Sequence, residues 1–346
     1  MTQQRSAAGR RAGTPLLSVE DLHVSFGTED GLVQAVKGVS LTLAPGEILA
    51  LCGESGSGKS VTAMSVPRLL PPTARVSGAV RLDGRDLVQL NASELRALRG
   101  SDVSVVFQEP MTSLNPSFTV GFQITEVLHR HEKLSRRAAR ARAVELLELV
   151  GIPDPAGRLK EYPHQLSGGM RQRVMIAIAV ACEPRILIAD EPTTALDVTI
   201  QAGVLDVFRS LRDRLGTAIV LITHDLGVVA DIADRVAVMY AGRIVEQAEV
   251  TELFARPLHP YTRGLLGALP SAARLDGTQR RRLREIPGMV PAPYSDPDEC
   301  PFAPRCPIAA DDCTASRPSL DRQGDGDGHL AACFHPGLST VEAVDA

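Results

Sequence analysis

Residues Gly53 to Ser60 read GESGSGKS, a complete G-x-x-x-x-G-K-[ST] pattern. It follows the apolar run EILALC (Glu47 to Cys52) and precedes a helical segment that lasts until Pro67. Strand, loop and helix in that order are the context in which this pattern binds phosphate. Glycines Gly53, Gly56 and Gly58 let the backbone wrap closely, so successive N–H groups from Ser55 through Ser57 to Ser60 can point at β- and γ-phosphates. A helix starting near Gly58 adds its positive end. Lys59 would neutralise phosphate charge, and the Ser60 hydroxyl would ligate Mg2+. The plain alternative is a glycine-rich turn between strand and helix, and the context argues against it.

A second run, RILIADEP (Arg185 to Pro192), ends four apolar positions in two carboxylates. Asp190, at the strand's C-terminal end, is placed to hold Mg2+ through water. Adjacent carboxylates on an extended chain point to different sides, so Glu191 is free to polarise an attacking water as a general base. Strand ends often carry solvated charge, and the pairing with the phosphate loop gives this one its meaning.

These residues need a layered scaffold. From about Leu16 to Ala268, short β-rich runs alternate with helical patterns, which indicates an α/β domain. EILALC, VSVVF (Val103 to Phe107), RILIAD (Arg185 to Asp190), AIVLIT (Ala218 to Thr223) and RVAVMY (Arg235 to Tyr240) read as buried strands. Nearly continuous apolar character is expected of strands covered on both faces. From Gln123 to Val150 the pattern turns helical, with Leu134, Ala138, Ala141, Leu146 and Leu149 as the expected inward face and the arginines as a solvated one. After Leu269, Pro, Gly and Asp dominate, and the basic run Arg280, Arg281, Arg282 and Arg284 appears. Such an irregular tail is not expected to build much core of its own and needs a staple.

The chain has 346 residues, 44% hydrophobic and 23% charged, with net charge −4. That composition excludes a disordered or collagen-like chain and argues against bulk nucleic-acid binding. The longest clean apolar stretch, Val174 to Cys182, is about half what a bilayer span needs. The opening MTQQRSAAGRRAGT has no apolar h-region and reads as a disordered basic arm, residues 1–15. Of six cysteines, Cys52 and Cys182 sit alone in apolar runs and read as small buried hydrophobes.

Between the phosphate loop and the acidic strand lies LSGGMRQRVMIAIAVACEP, beginning at Leu166. Here the chain closely resembles the ATP-binding subunits of ABC transporters, whose signature is LSGGQ shortly before the acidic strand. Other elements of that family follow in the expected order. Phe26 matches the aromatic that stacks on adenine. Gln108, in VFQEP, matches the glutamine that links Mg2+ and water to the membrane subunits. Asp197, in TALD, matches the D-loop aspartate, and His224, in ITHD, the switch histidine that contacts the γ-phosphate. The signature ends in Met170 in place of Gln, and contacts to phosphate are expected from Ser167 and the backbone of Gly168 and Gly169. Val61, counted with the nucleotide-binding set, stands where Thr is common and is expected to pack in the helix. The resemblance implies a P-loop NTPase fold: a mixed β-sheet core over residues 16–268 with a helical subdomain inserted at about 115–180. It also implies that two such domains sandwich two ATP molecules, and that motion passes to two separate multi-span permease subunits near Gln108 and MTSLNPS (Met111 to Ser117).

The tail narrows the resemblance. PLHPYTRGLLGALP (Pro257 to Pro270), IPGMVPAP and CPFAPRCPIAADDC with a final Cys333 resemble the C-terminal extension, here residues 269–346, of oligopeptide/dipeptide-importer ATPases, with nickel importers as close neighbours. Cys300, Cys306, Cys313 and Cys333 are spaced C-x5-C-x6-C-x19-C. Four thiolates in a reducing compartment suit an Fe–S cluster or Zn2+ better than disulfides. Structural zinc prefers shorter pairs, whereas His329 and His335 near Cys333 keep a mixed zinc site open. The resemblance implies a [4Fe–4S] cluster. It further implies an importer ATPase on the cytoplasmic membrane face, paired with a second ABC ATPase, served by an extracellular solute-binding protein and bound to no nucleic acid. The alternatives are a soluble ABC ATPase of a non-transport enzyme or nucleic-acid complex, and a binding module that does not hydrolyse.

Overall fold

Five runs of apolar residues pair side by side because each is covered on both faces. In the computed structural model, which describes residues 14–29, 31–194, 196–268, 286–291, 294, 296, 298–323 and 328–338, they form β3 (Ile48–Cys52), β6 (Val103–Val106), β7 (Ile186–Asp190), β8 (Ala218–Ile222) and β9 (Arg235–Tyr240). Neighbouring strands run parallel, with Leu49 opposite Val220 and Leu187 opposite Ile219. Every residue of β3 and β8 is buried, as the sequence pattern requires of a doubly covered sheet. β10 (Arg243–Glu249) turns back antiparallel on β9. β12 (Leu330–Ala331) and β11 (Asp321–Arg322) then extend that edge. The resulting order is β11-β12-β10-β9-β3-β8-β7-β6. A second, antiparallel sheet is built from β1 (Leu17–Thr28), β2 (Gly31–Leu43), β4 (Ala74–Leu82) and β5 (Arg85–Asp86), in the order β2-β1-β4-β5.

Helices Val120–His131, Arg136–Leu149 and Gly168–Ala179 pack into one core with β6 and β7 through Ile124, Leu146, Leu147, Val174, Val106 and Leu187. The inward face of the middle helix differs from the expected one. Ser135 caps it by accepting from the Ala138 N–H, which starts the helix at Arg136. From that start Ala139, Ala143, Leu146 and Leu147 face inward, Ala138 and Ala141 face solvent, and Leu134 and Leu149 are half-buried. Alanine carries too little hydrophobic contrast to set the phase of a helix, and the cap sets it instead.

The expectation that the tail lacks core is also corrected. Cys300, Phe302, Ala303 and Cys313 are buried in a core shared with Ala50, Cys52, Val238, Tyr240 and Tyr261 of the main sheet and its covering helices. The extension borrows the face of β9 and β10, so its own sequence needs no periodicity. Tyr240 stands edge-on to Phe302 at 5.3 Å, and Tyr261 lies 4.8 Å from Tyr240. Cys52 is buried and its thiol is pushed up to about 12 by desolvation, whereas Cys182 is only half-buried. The basic arm over residues 1–13 and the run Arg280 to Arg284 lie outside the described residues. Among the described residues no helix is long and apolar enough to cross a membrane.

Candidate active site

The phosphate loop leaves the C-terminal end of β3 and enters helix Lys59–Ser65. Two glycines fix its path. Gly53 has φ of +147°, and a Cβ there would meet the Met239 carbonyl at 2.2 Å; at Gly58, φ +97°, it would meet the Ala35 carbonyl at 2.5 Å. Only glycine tolerates both the conformation and the approach. Lys59 folds over the loop and donates from Nζ to the carbonyls of Gly53 and Glu54, both at 2.8 Å, with Ser57 Oγ at 3.5 Å. Burial pulls its pKa down, opposed by Glu191 and other nearby acids.

Ser60 Oγ donates to Asp190 Oδ1 at 2.9 Å, joining the loop to the end of β7. Desolvation raises the Asp190 pKa, so a cation at this place would relieve a half-buried carboxylate. Ser60 and Asp190 are therefore the fit for Mg2+, which would neutralise phosphate charge and polarise the leaving group.

Glu191 follows in the left-handed region with φ of +45°, its N–H donating to Ile222 at 2.9 Å. Its carboxylate gathers three side chains: Gln108 Nε2 and Thr194 Oγ1 donate to Oε2 at 3.0 Å each, and His224 Nδ1 lies 3.2 Å from Oε1. The sequence reading missed Thr194. It follows Glu191 by three residues with nothing but a common ST-rich turn to mark it. A cavity of about 760 Å3 is lined by Ser55, Gly56, Gly58, Lys59, Ser60, Val61, Gln108, Glu191 and His224, and also by Val33 to Ala35, Val290 and Pro291. Val61 also packs against the core beneath, as expected.

Five expected site residues stand elsewhere. Phe26 is half-buried on β1, opposite Val33, and does not line the cavity. Ser167, Gly168 and Gly169 open helix Gly168–Ala179, where Ser167 Oγ accepts from the Met170 N–H at 3.4 Å. They too are outside the cavity lining. Asp197 caps helix Val198–Leu215 by accepting from Ile200 N–H at 2.9 Å.

With this geometry in place, residues 36–194 match the ABC transporter family model, and residues 245–313 match the model of the oligopeptide/dipeptide transporter C-terminal region. The dipeptide transport ATP-binding protein DppD of Bacillus subtilis is 52% identical over 321 residues, covering 92% of this chain and 94% of that protein. The chain belongs to the ABC transporter ATP-binding family. The oligopeptide transport ATP-binding protein OppD of Mycobacterium tuberculosis is 51% identical over 94% of this chain, which spans only 53% of that relative. Among solved structures, the dimeric post-hydrolysis ATP-binding cassette MJ0796, bound to ADP and Pi, superposes with a TM-score of 0.61 at 28% identity. That match covers 68% of this chain and 98% of that one. The fold is an ABC ATPase cassette, and the activity of this ABC protein is ATP hydrolysis coupled to transport.

Several large apolar side chains that follow Gln108 closely in the chain, or precede it, are exposed. Phe107, Met111, Phe118 and Phe122 are all exposed, and the last two stack at 4.4 Å. Single exposed apolar residues are ordinary, whereas a stacked exposed pair such as Phe118 and Phe122 is a larger apolar patch.

Proposed function

We propose that this ATPase powers the import of dipeptides or oligopeptides through two separate multi-span permease subunits. It sits peripherally on the cytoplasmic membrane face and works with a second ABC ATPase, and the permease takes its cargo from an extracellular solute-binding protein. The match of residues 245–313 to the peptide-transporter C-terminal region carries the assignment of cargo class. Residues 16–268 form the nucleotide-binding domain, 115–180 its helical subdomain, and 269–346 the extension.

The geometry supports a division of labour. Backbone N–H groups from Ser55 to Ser60 and the Lys59 ammonium bind phosphate, and Ser60, Asp190 and Gln108 are the residues that would hold Mg2+. Glu191 takes the proton of the attacking water, while Gln108, Thr194 and His224 hold its carboxylate in place. Ser167 to Gly169 lie outside the cavity of their own chain, which fits a sandwich in which they complete the site of a partner ATPase, with Asp197 at the same seam. Phe26 pairs with Val33, which lines the cavity, and we assign it to the adenine side of the site. Gln108 bonds Glu191, and the segment that follows it carries the exposed Met111, Phe118 and Phe122, which with Phe107 we assign to the permease contact. Co-purification with two multi-span subunits from solubilised membranes is the expected result. A stable soluble complex without them would sink the transport assignment.

We further propose that Cys300, Cys306, Cys313 and Cys333 hold a [4Fe–4S] cluster, with Zn2+ as the alternative. All four line one small cavity, together with Phe302, His259 and His335. Desolvation raises every one of the four thiols, and a metal centre would reverse that by stabilising the thiolates. Four thiolates around one zinc at about 2.3 Å would all lie within about 4 Å of one another. Among the described residues, the group of three possible ligand atoms that lie within 4.8 Å of one another is Asp312, Cys313 and His335, a set that suits the zinc alternative. Anaerobically purified protein is expected to be coloured and to carry about four irons and four sulfides per chain. Colourless protein with one zinc would refute the cluster.

A further inference from the structure

We propose that Arg305 and Tyr261 are positioning residues for nucleotide binding: together they hold Glu54 of the phosphate loop and keep its carboxylate turned away from the phosphates. The inference rests on the reading of Gly53 to Ser60 as the ATP phosphate site. Glu54 is the one acidic residue in GESGSGKS. It is gripped at every polar group. Its N–H donates to the Tyr261 hydroxyl at 2.8 Å, and its carbonyl accepts from Lys59 Nζ at 2.8 Å. Its two carboxylate oxygens accept from Arg305 Nη1 at 2.8 Å and Nη2 at 3.0 Å.

Arg305 is itself fixed from behind. Its Nε donates to the Pro287 carbonyl at 2.8 Å, Nη2 also reaches the Ile286 carbonyl at 3.2 Å, and Nη1 lies 3.4 Å from the Tyr240 hydroxyl. The guanidinium lies over the Tyr240 ring at 5.7 Å and is buried, its pKa raised first by the bond to Glu54. A planar fork with its donors spent in this way cannot swing to another partner. Arg305 ends the short turn Ala303–Arg305, between Cys300 and Cys306. The cysteine-bearing extension thus reaches the phosphate loop through this side chain, and its Val290 and Pro291 line the cavity as well. Tyr261, fully buried, reaches the same loop.

Electrostatics gives the clamp its purpose. The N–H groups after Glu54 form a cradle for anions, and a free carboxylate in that loop would repel the phosphates they bind. Arg305 both neutralises that charge and sets its direction. Arg305→Met in the full chain is expected to raise the KM for ATP, and the Kd for a fluorescent ATP analogue, about tenfold with kcat changed less than about twofold. Adding Glu54→Gln to that variant removes the released charge and is expected to restore most of the affinity. Tyr261→Phe, which leaves the Glu54 N–H without its partner, is expected to raise KM several-fold and serves if Arg305→Met fails to fold. Wild-type KM in both single variants would overturn the clamp, and so would a double variant as weak as Arg305→Met alone, the outcome of simple structural damage. A wild-type chain that neither binds nor hydrolyses ATP would overturn the phosphate-site reading instead.

Discussion

Replacing Glu191 by Gln is expected to lower ATP turnover by about 10²–10⁴-fold while ATP binding is retained. Gln has the shape of Glu and can still accept from Gln108 and Thr194, which bond the carboxylate at 3.0 Å, so the loop keeps its conformation. What is lost is basicity. The carboxylate opens onto the same cavity as Lys59 and Ser60, with one oxygen held by Gln108 and Thr194 and the other beside His224. Three partners on one side chain fix its direction before substrate arrives, which is the arrangement a general base needs. The backbone supports the same conclusion. A glutamate held at φ of +45° costs of order 1–3 kcal/mol, and such strain persists where the surroundings over-determine it. Phosphate release measured at saturating ATP, with nucleotide retention followed on a sizing column, checks the prediction. Loss of turnover with ATP retained on a slower-opening dimer is the expected pair of results. Unchanged turnover would remove Glu191 from the role of base.

The parts of this site that were legible in the sequence are those carried by contiguous residues. GESGSGKS and RILIADEP each state their own strand, turn and chemistry, and the structure needs only to set Ser60 against Asp190 at 2.9 Å. The buried parallel strands were legible for the same reason, with Glu47, Phe107, Arg185 and Thr223 falling just outside the observed ends. Positions decided by tertiary contact were not legible. Thr194 gains its role from the turn that presents it to Glu191. Ser167 to Gly169 read as a nucleotide contact, yet they lie outside the cavity lined by Lys59 and Glu191. The tail reads as irregular since its buried residues are spaced to fit β9 and β10 and not one another. Arg305 meets Glu54 across 251 positions, a pairing that local pattern cannot reveal.

The tail's attachment also sets the largest stability effect expected of a single residue. Glu246→Ala is expected to cost about 3–5 kcal/mol, a large share of the net stability of any domain. Glu246 is fully buried on β10, and its carboxylate accepts from Leu258 N–H at 2.7 Å, His259 N–H at 2.9 Å and His329 Nε2 at 2.8 Å. One side chain thus ties the sheet to the start of helix Pro260–Gly267 and to the segment leading into β12. Alanine would leave three buried donors unpaired and a cavity where the carboxylate stood. His259 passes the effect onward. Burial pulls its pKa down to about 4, so the ring stays neutral and Nδ1 accepts from the Tyr261 N–H at 3.1 Å. Tyr261 in turn holds Glu54 through its hydroxyl. Glu246→Gln keeps the volume and one acceptor, and a smaller loss is expected. Urea unfolding of the three proteins checks the order, and a cost below about 1 kcal/mol for Glu246→Ala would show that the extension is not held by this carboxylate. Because the same chain of bonds ends at the phosphate loop, Glu246→Ala should also weaken ATP binding at temperatures where the protein is still folded. A core residue of the helical layer such as Leu146, replaced by Ala, should lower stability without moving the KM for ATP, since no such chain of bonds leads from it to Glu54.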